Sequence, residues 1–232
     1  VNTYLVNGIV VHNCHHLLQT NKWGKATELF TNAKFGLGVT ATPTRADGKG
    51  LGVHSAGVFH DMVVGPDLRW LINEGFLTDY KIYAPPSDMN FSAAKVGDSG
   101  DYNHKQLRVI AKDSHIVGDV VKHYLRLGKG KLGITFAPDI ETASDIVEKF
   151  NAAGVPAKIL HGKTPDQERI STMQQFRNRV IMQIVNVDIL GEGVDVPAVE
   201  VVSFARKTES FSLFVQQCGR ALRPIYADRM PL

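Results

Sequence analysis

The 232-residue sequence lacks several whole classes of feature. Its two cysteines, Cys14 and Cys218, make no disulfide framework, and such sparse usage fits a reducing, cytoplasmic setting. No apolar run approaches the ~18–20 residues of a membrane span, and the first residues lack the basic region of a secretory signal. With 26 Lys and Arg against 23 Asp and Glu, the net charge is only +3, which by itself makes no claim on an acidic partner. No internal repeat or low-complexity tract occurs, and there is no Gly-x-x-x-x-Gly-Lys-Ser/Thr loop to cradle phosphates. What remains is 44% hydrophobic and 21% charged, an ordinary globular chain of one or two domains at ~100–200 residues each.

Short apolar runs alternate with amphipathic segments. Candidate strands are residues 35–42, 131–137, 157–161, 180–188 and 199–205, nearly continuous in aliphatic residues, as for strands buried on both faces. Between them Ile140, Ala143, Ile146, Val147, Phe150 and Ala153 recur at helical spacing, with Gly154 placed to end the helix. Residues 115–127 form a similar helix, with Ile116, Val117, Val120, Val121 and Tyr124 on one side. Another helix starts with Thr164 as N-cap, Pro165 at the first helical position and Gln167 closing a capping box. This alternation predicts a parallel α/β fold with right-handed crossovers. Pro85 and Pro86 open a non-periodic stretch of Ser, Asp, Asn and Gly, read as a linker or excursion over 85–105.

Residues 210–224 are the most informative segment. Phe211, Phe214, Val215, Cys218 and Leu222 recur at helical spacing and predict a buried stripe. Gln216, Gly219, Arg220 and Arg223 form a second stripe, in which two guanidinium forks beside a glycine suit phosphate oxygens.

Gln216-x-x-Gly219-Arg220-x-x-Arg223 resembles motif VI of superfamily 2 helicases, and other elements stand in the matching order. Gly191-Glu192-Gly193-Val194-Asp195-Val196-Pro197 resembles motif V, and Thr40-Ala41-Thr42-Pro43 resembles motif III. Ile134-Thr135-Phe136-Ala137 fits the strand of motif IV, while His161-Gly162 and Glu168-Arg169 match the strand end and helix between motifs IV and V. The resemblance covers residues 14–226 and is nearest to the DEAH-type branch of DNA repair and phage helicases. It implies two RecA-like lobes with ATP and Mg²⁺ between them. Arg220 and Arg223 would be arginine fingers on the γ-phosphate, with Gly219 beside them and Gln216 positioning water or phosphate. Gly193 and Asp195 would link the nucleotide to the nucleic-acid strand, and Thr40, Ala41 and Thr42 would couple hydrolysis to lobe closure. Gly162 and Arg169 would lie towards the nucleic acid. Val187-Asp188 stands where motif V often carries Thr before its Asp, which puts one hydroxyl contact to that strand in doubt.

Motif II of this family reads Asp-Glu-x-His, whereas the aligned residues here are His12, Asn13, Cys14 and His15. His15 would couple motif II to motif VI. One reading is an eroded motif, since a neutral His and Asn cannot supply the carboxylates that hold a metal and polarise water. The other starts from Asn7-Gly8-Ile9-Val10-Val11-His12-Asn13-Cys14, which resembles the C-terminal splice junction of inteins. There the Asn13 side-chain amide would cyclise onto its own carbonyl, cutting the bond to Cys14. His12 would polarise that carbonyl or shuttle the proton, and the Cys14 thiol would receive the upstream segment. Splicing would restore Asp-Glu ahead of Cys14-His15-His16.

The resulting expectation is α/β with RecA-like lobes. Residues 1–13 are an intein remnant, 14–84 the tail of a first lobe, 85–105 a linker, and 106–232 a second, incomplete lobe. The chain is read as a piece of an ATP-dependent DNA helicase, with RNA as the alternative substrate, that hydrolyses ATP only when complete and spliced. Its partners would be the N-terminal lobe and an intein N-terminal half. Two competing readings are a non-catalytic nucleic-acid-binding relic, and a chain whose self-splicing junction is its only live chemistry. No metal-ligand spacing is present around His54, His60 and Asp61.

Overall fold

A computed structural model of the chain describes residues 4–6, 9–13, 18–20, 22–29, 32, 35–40, 42, 49–92, 94–97, 101–190 and 199–224. Near the start, β1 (Tyr4–Val6) pairs antiparallel with β2 (Ile9–Asn13). Only Asn7 and Gly8 separate them, and Asn-Gly is the strongest two-residue hairpin signal. After helix α1 (Lys22–Thr27), strand β3 (Phe35–Val39) pairs parallel with β2, His12 opposite Gly38 and Asn13 opposite Val39. Helix α2 (Leu68–Asn73) follows, capped by the Asp67 carboxylate, which accepts the Trp70 N–H at 2.8 Å. No helix of the described residues is long and apolar enough to cross a membrane.

The second lobe begins with α3 (His104–Lys112), two residues inside the stretch read as linker and absent from the helices expected from periodicity. It continues through α4 (Ile116–Leu127), β4 (Gly133–Phe136), α5 (Ile140–Ala152), β5 (Ala157–His161), α6 (Asp166–Arg177), β6 (Gln183–Val187), β7 (Val201–Phe204) and α7 (Phe211–Cys218). Its four strands are all parallel in the order β5-β6-β4-β7. The central strands β4 and β6 are buried along their whole length, which is why their sequences are apolar runs rather than alternations.

Two clusters fill the two faces of this sheet. On one, Ile116, Val120, Val121 and Tyr124 of α4 meet Ala143, Ile146 and Phe150 of α5. The Tyr124 and Phe150 rings pack edge to face at 5.4 Å, and the Tyr124 hydroxyl donates to the Lys131 carbonyl at 2.7 Å. Full burial of a side chain such as Phe150 is worth about 1.5–3 kcal/mol. On the other face, Met173 and Phe176 of α6 pack on Leu132, Ile134, Leu160 and Ile184. Gly133 is dictated by proximity: a Cβ there would stand 2.1 Å from the Gln183 side-chain nitrogen, inside the sheet.

The ends of α5 follow from its sequence. The Asp139 carboxylate accepts the N–H groups of Glu141 and Thr142, and Gly154 takes a left-handed φ of +74° just past the last turn. The start of α6 differs from expectation. The helix begins at Asp166, Pro165 occupies the cap position, and no side chain caps it. The Thr164 hydroxyl instead accepts the His161 N–H at 3.0 Å, so it closes the turn leaving β5 and the expected capping box does not form.

Residues 78–92 contain no helix or strand, yet they lie against the second lobe. Met89 packs on the α4–α5 cluster, and the Asp88 carboxylate accepts the backbone N–H of His115 at 3.0 Å and contacts its Nδ1 at 2.5 Å. That hydrogen bond, then the Asp88 charge, raises the His115 pKa above 6.5; the same bond lowers that of Asp88 below 3.8. A raised histidine pKa contributes stability that is complete below 6.5 and lost as pH climbs through the folded value. The lowered carboxylate contributes above 3.8 and loses that on acidification. The strap is therefore held best between those limits. Titration of the His115 ring by NMR is expected to give a lower pKa in Asp88→Asn than in the unmodified chain; an identical value would mean that the pair does not form in solution.

Candidate functional site

In a parallel sheet the carboxyl ends of the strands share one edge, where α/β proteins bind ligands. Here that edge is made by Phe136, His161, Val187 and Phe204 and the segments that follow them. After β7, Ser210 caps α7 by accepting the Leu213 N–H at 3.3 Å.

The predicted faces of this helix are not those observed. Phe211 is 72% exposed and Phe214 38%, while Ser212 and Gln217 are buried. Phe214 packs on the Phe204 ring at 5.3 Å. Cys218 is half-buried rather than core, and burial pushes its thiol pKa up. For Ser212 and Gln216 the reason is the buried hydroxyl of Thr42, to which both donate, whereas the buried Gln217 Oε1 has no hydrogen-bond partner among the described residues. The Thr42 hydroxyl oxygen, itself buried, receives hydrogen bonds from Ser212 Oγ at 2.8 Å and Gln216 Nε2 at 3.1 Å. Thr40 Oγ1 donates to the Thr42 carbonyl at 2.9 Å and accepts the Thr42 N–H at 3.1 Å, closing a small knot.

The α-helix stops at Cys218 and tightens into a 3₁₀ turn over Gly219–Ala221. Arg220 and Arg223 therefore do not share a continuing helical stripe. Arg220 sits within the turn at 7% exposure, and Arg223 lies just beyond it, partly exposed. Gly219 has open space where a Cβ would stand. The Thr78 N–H donates to the Leu222 carbonyl at 2.9 Å, and its hydroxyl to the Ala221 carbonyl at 3.3 Å. Thus Thr42 and Thr78, both from the first part of the chain, hold the two ends of the Gln216–Arg223 segment.

The other expected site residues are dispersed. Gly162 follows β5 with open space where a Cβ would stand, and Arg169 on α6 is turned onto its own turn, donating to the Thr164 carbonyl at 3.1 Å. His12 and Asn13 are backbone-paired residues of β2. Cys14, His15, Ala41, Gly193 and Asp195 lie outside the described residues. Among the described residues no group of three or more His, Cys, Asp or Glu side chains comes together. Ser212 and Thr78 are contacts the sequence did not reveal. Ser212 stands one turn before Gln216, and that spacing was its only signal.

Residues 117–224 match the family described as the helicase conserved C-terminal domain. This region is similar to helicase C-terminal domains. A 51.5 kDa protein of a Lactococcus phage is 36% identical to the chain over 187 residues, covering 81% of the chain and 40% of that protein. A Schizosaccharomyces pombe protein named as the mitochondrial ATP-dependent helicase irc3 is 29% identical over 192 residues, covering 81% of the chain and 30% of its own length. The chain thus spans 40% or less of the length of these relatives. In fold, it superposes on a fragment of an HsdR subunit of a type I restriction enzyme from Vibrio vulnificus with a TM-score of 0.69. That match covers 93% of the chain and 40% of the other, at 20% identity, a likeness of fold alone.

Proposed function

We propose that the chain is the C-terminal part of an ATP-dependent helicase or translocase acting on DNA. The observation that carries this reading is the pair of hydrogen bonds from Ser212 and Gln216 to Thr42, which seats the motif VI segment on the motif III threonine. In this reading Arg220 and Arg223 meet the γ-phosphate from the second lobe, and the Thr42 contact reports lobe closure to them. ATP, Mg²⁺ and the phosphate-cradling loop belong to an N-terminal lobe of the same parent. The 232 residues alone do not turn ATP over.

Motif II is, on the same proposal, interrupted by an intein whose last residues are 1–13. The β1–β2 pair is in keeping with this: the residues read as the intein remnant make an antiparallel β pair of their own, separated in sequence only by Asn7 and Gly8. The eroded-motif reading has its own support in the parallel pairing of β2 with β3, where a motif II strand would lie beside motif III.

The deciding experiment is to express the whole gene and weigh the product. An intein-free product with Asp-Glu joined to Cys14, whose ATP turnover rises with added DNA, is the expected result. A product in which residues 1–13 persist, binding DNA with a steep salt dependence and no nucleotide effect, would establish the relic instead.

A further inference from the structure

The segment leading into α7 is held by a cluster of charges outside the site just described. Arg206 follows β7 and is 8% exposed. Its guanidinium spreads two arms: Nη2 reaches the Asp101 carboxylate at 2.9 Å, and Nη1 reaches that of Asp188 at 3.2 Å. Asp101 also accepts the Thr208 hydroxyl at 2.8 Å and the Glu209 N–H at 3.0 Å, so three of the four residues before Ser210, namely Arg206, Thr208 and Glu209, are tied to it. Beside them the Tyr102 hydroxyl donates to Glu209 at 2.6 Å, and the Lys207 ammonium lies 5.2 Å from the Phe91 and Tyr102 ring centres.

Asp188, on the other arm, immediately follows β6 and has a left-handed φ of 60°, an uncommon conformation for a non-glycine residue. The next two N–H groups, of Ile189 and Leu190, are held by the Asn186 side chain at 3.2 and 2.9 Å. The chain therefore enters residues 191–197, the stretch resembling motif V, from a rigid turn whose outer carboxylate is clamped by Arg206. Its inner side is fixed by Asn186.

We infer that Arg206 is a positioning residue: anchored by Asp101, it fixes the 188–190 turn, which precedes the 191–197 segment in sequence, and the lead-in to α7 in one mutual placement. This rests on the reading of those two segments as the ones that face ATP. The planar fork is essential, because a single ammonium is a point charge and does not hold two separate carboxylates in fixed geometry. Arg206→Lys keeps the charge, and with it the solvation of the cluster, while removing the two-armed link. Asp101→Asn keeps the shape while removing the anchor.

Two measurements test this. Hydrogen exchange of the 232-residue chain is expected to show amides of 189–190 and 207–213 exchanging at least tenfold faster in either variant, with β4 and β6 unchanged. In the complete, spliced enzyme, Arg206→Lys is expected to lower kcat on the order of 10²-fold with KM for ATP nearly unchanged, the signature of misplaced rather than missing groups. Unaltered exchange in both segments overturns the inference, as does equal acceleration throughout the sheet, which would mark a purely structural role. If Arg223→Ala abolishes turnover and Arg206→Lys spares it, the inference fails while the site reading stands. If neither change affects turnover, the site reading itself fails, and any exchange effect belongs to the fold alone.

Discussion

Replacing Arg223 with alanine in the complete, spliced enzyme is expected to cut ATP turnover by ~10³–10⁵, the worth of an arginine supplied to a transferring phosphoryl group. Arg223 is the cleaner of the two arginines to remove. It lies partly exposed beyond the 3₁₀ turn, whereas Arg220 is buried inside it and its loss would also unsettle packing. DNA affinity should stay within a few-fold, because on the proposed reading the residue faces nucleotide rather than strand. Arg223→Lys should recover little, since a point charge does not reproduce the planar fork. Steady-state hydrolysis at saturating DNA, with fluorescence anisotropy for binding, separates the effects. Turnover within tenfold of the unmodified enzyme would remove Arg223 from the phosphate site.

Asn13→Ala in a precursor carrying the whole intein should leave the bond to Cys14 intact. Cyclisation requires the side-chain amide nitrogen to attack the Asn13 carbonyl carbon, expelling the α-amino group of Cys14 and leaving a succinimide; alanine offers no such nucleophile. His12→Ala should slow the same cleavage without abolishing it, by ~10²–10⁴, as expected when a group that moves a proton is lost. Intact-mass measurement over time reads both. Release of the downstream protein at the normal rate in Asn13→Ala would show that residues 1–13 are no splice junction, and would leave the eroded motif in possession.

The second lobe was largely legible because its strands are apolar runs, the central two buried along their whole length. The run at 157–161 coincides with β5, and the runs at 131–137, 180–188 and 199–205 each contain a strand trimmed by one to three residues at its ends. The α5 helix ends where Gly154 signalled. Two elements were misread for the same reason. Thr164 has a hydroxyl suited to capping, but the turn after β5 claims it first. In α7 the apolar spacing is real, yet hydrogen bonds to Thr42, far away in sequence, draw the polar face inward. Periodicity reports which residues share a face and is blind to what that face meets. Helix α3 left little trace because its exposed positions outnumber the buried Leu107 and Ala111.

The inverted burial of α7 also bears on idling. With eight residues, no acidic side chain in its first turn and no basic one in its last, the helix has little intrinsic tendency to persist. Its phenylalanines lie largely outward, so besides the Ser210 cap and the Asp101 tether its order draws on the Thr42 contact. On the proposed reading, the two arginines stand at the end of an element that assembles only when its neighbour arrives. An unengaged molecule would thus keep its phosphate-reading groups out of register, and wasteful hydrolysis would be restrained by the frailty of one short helix, without a dedicated inhibitor.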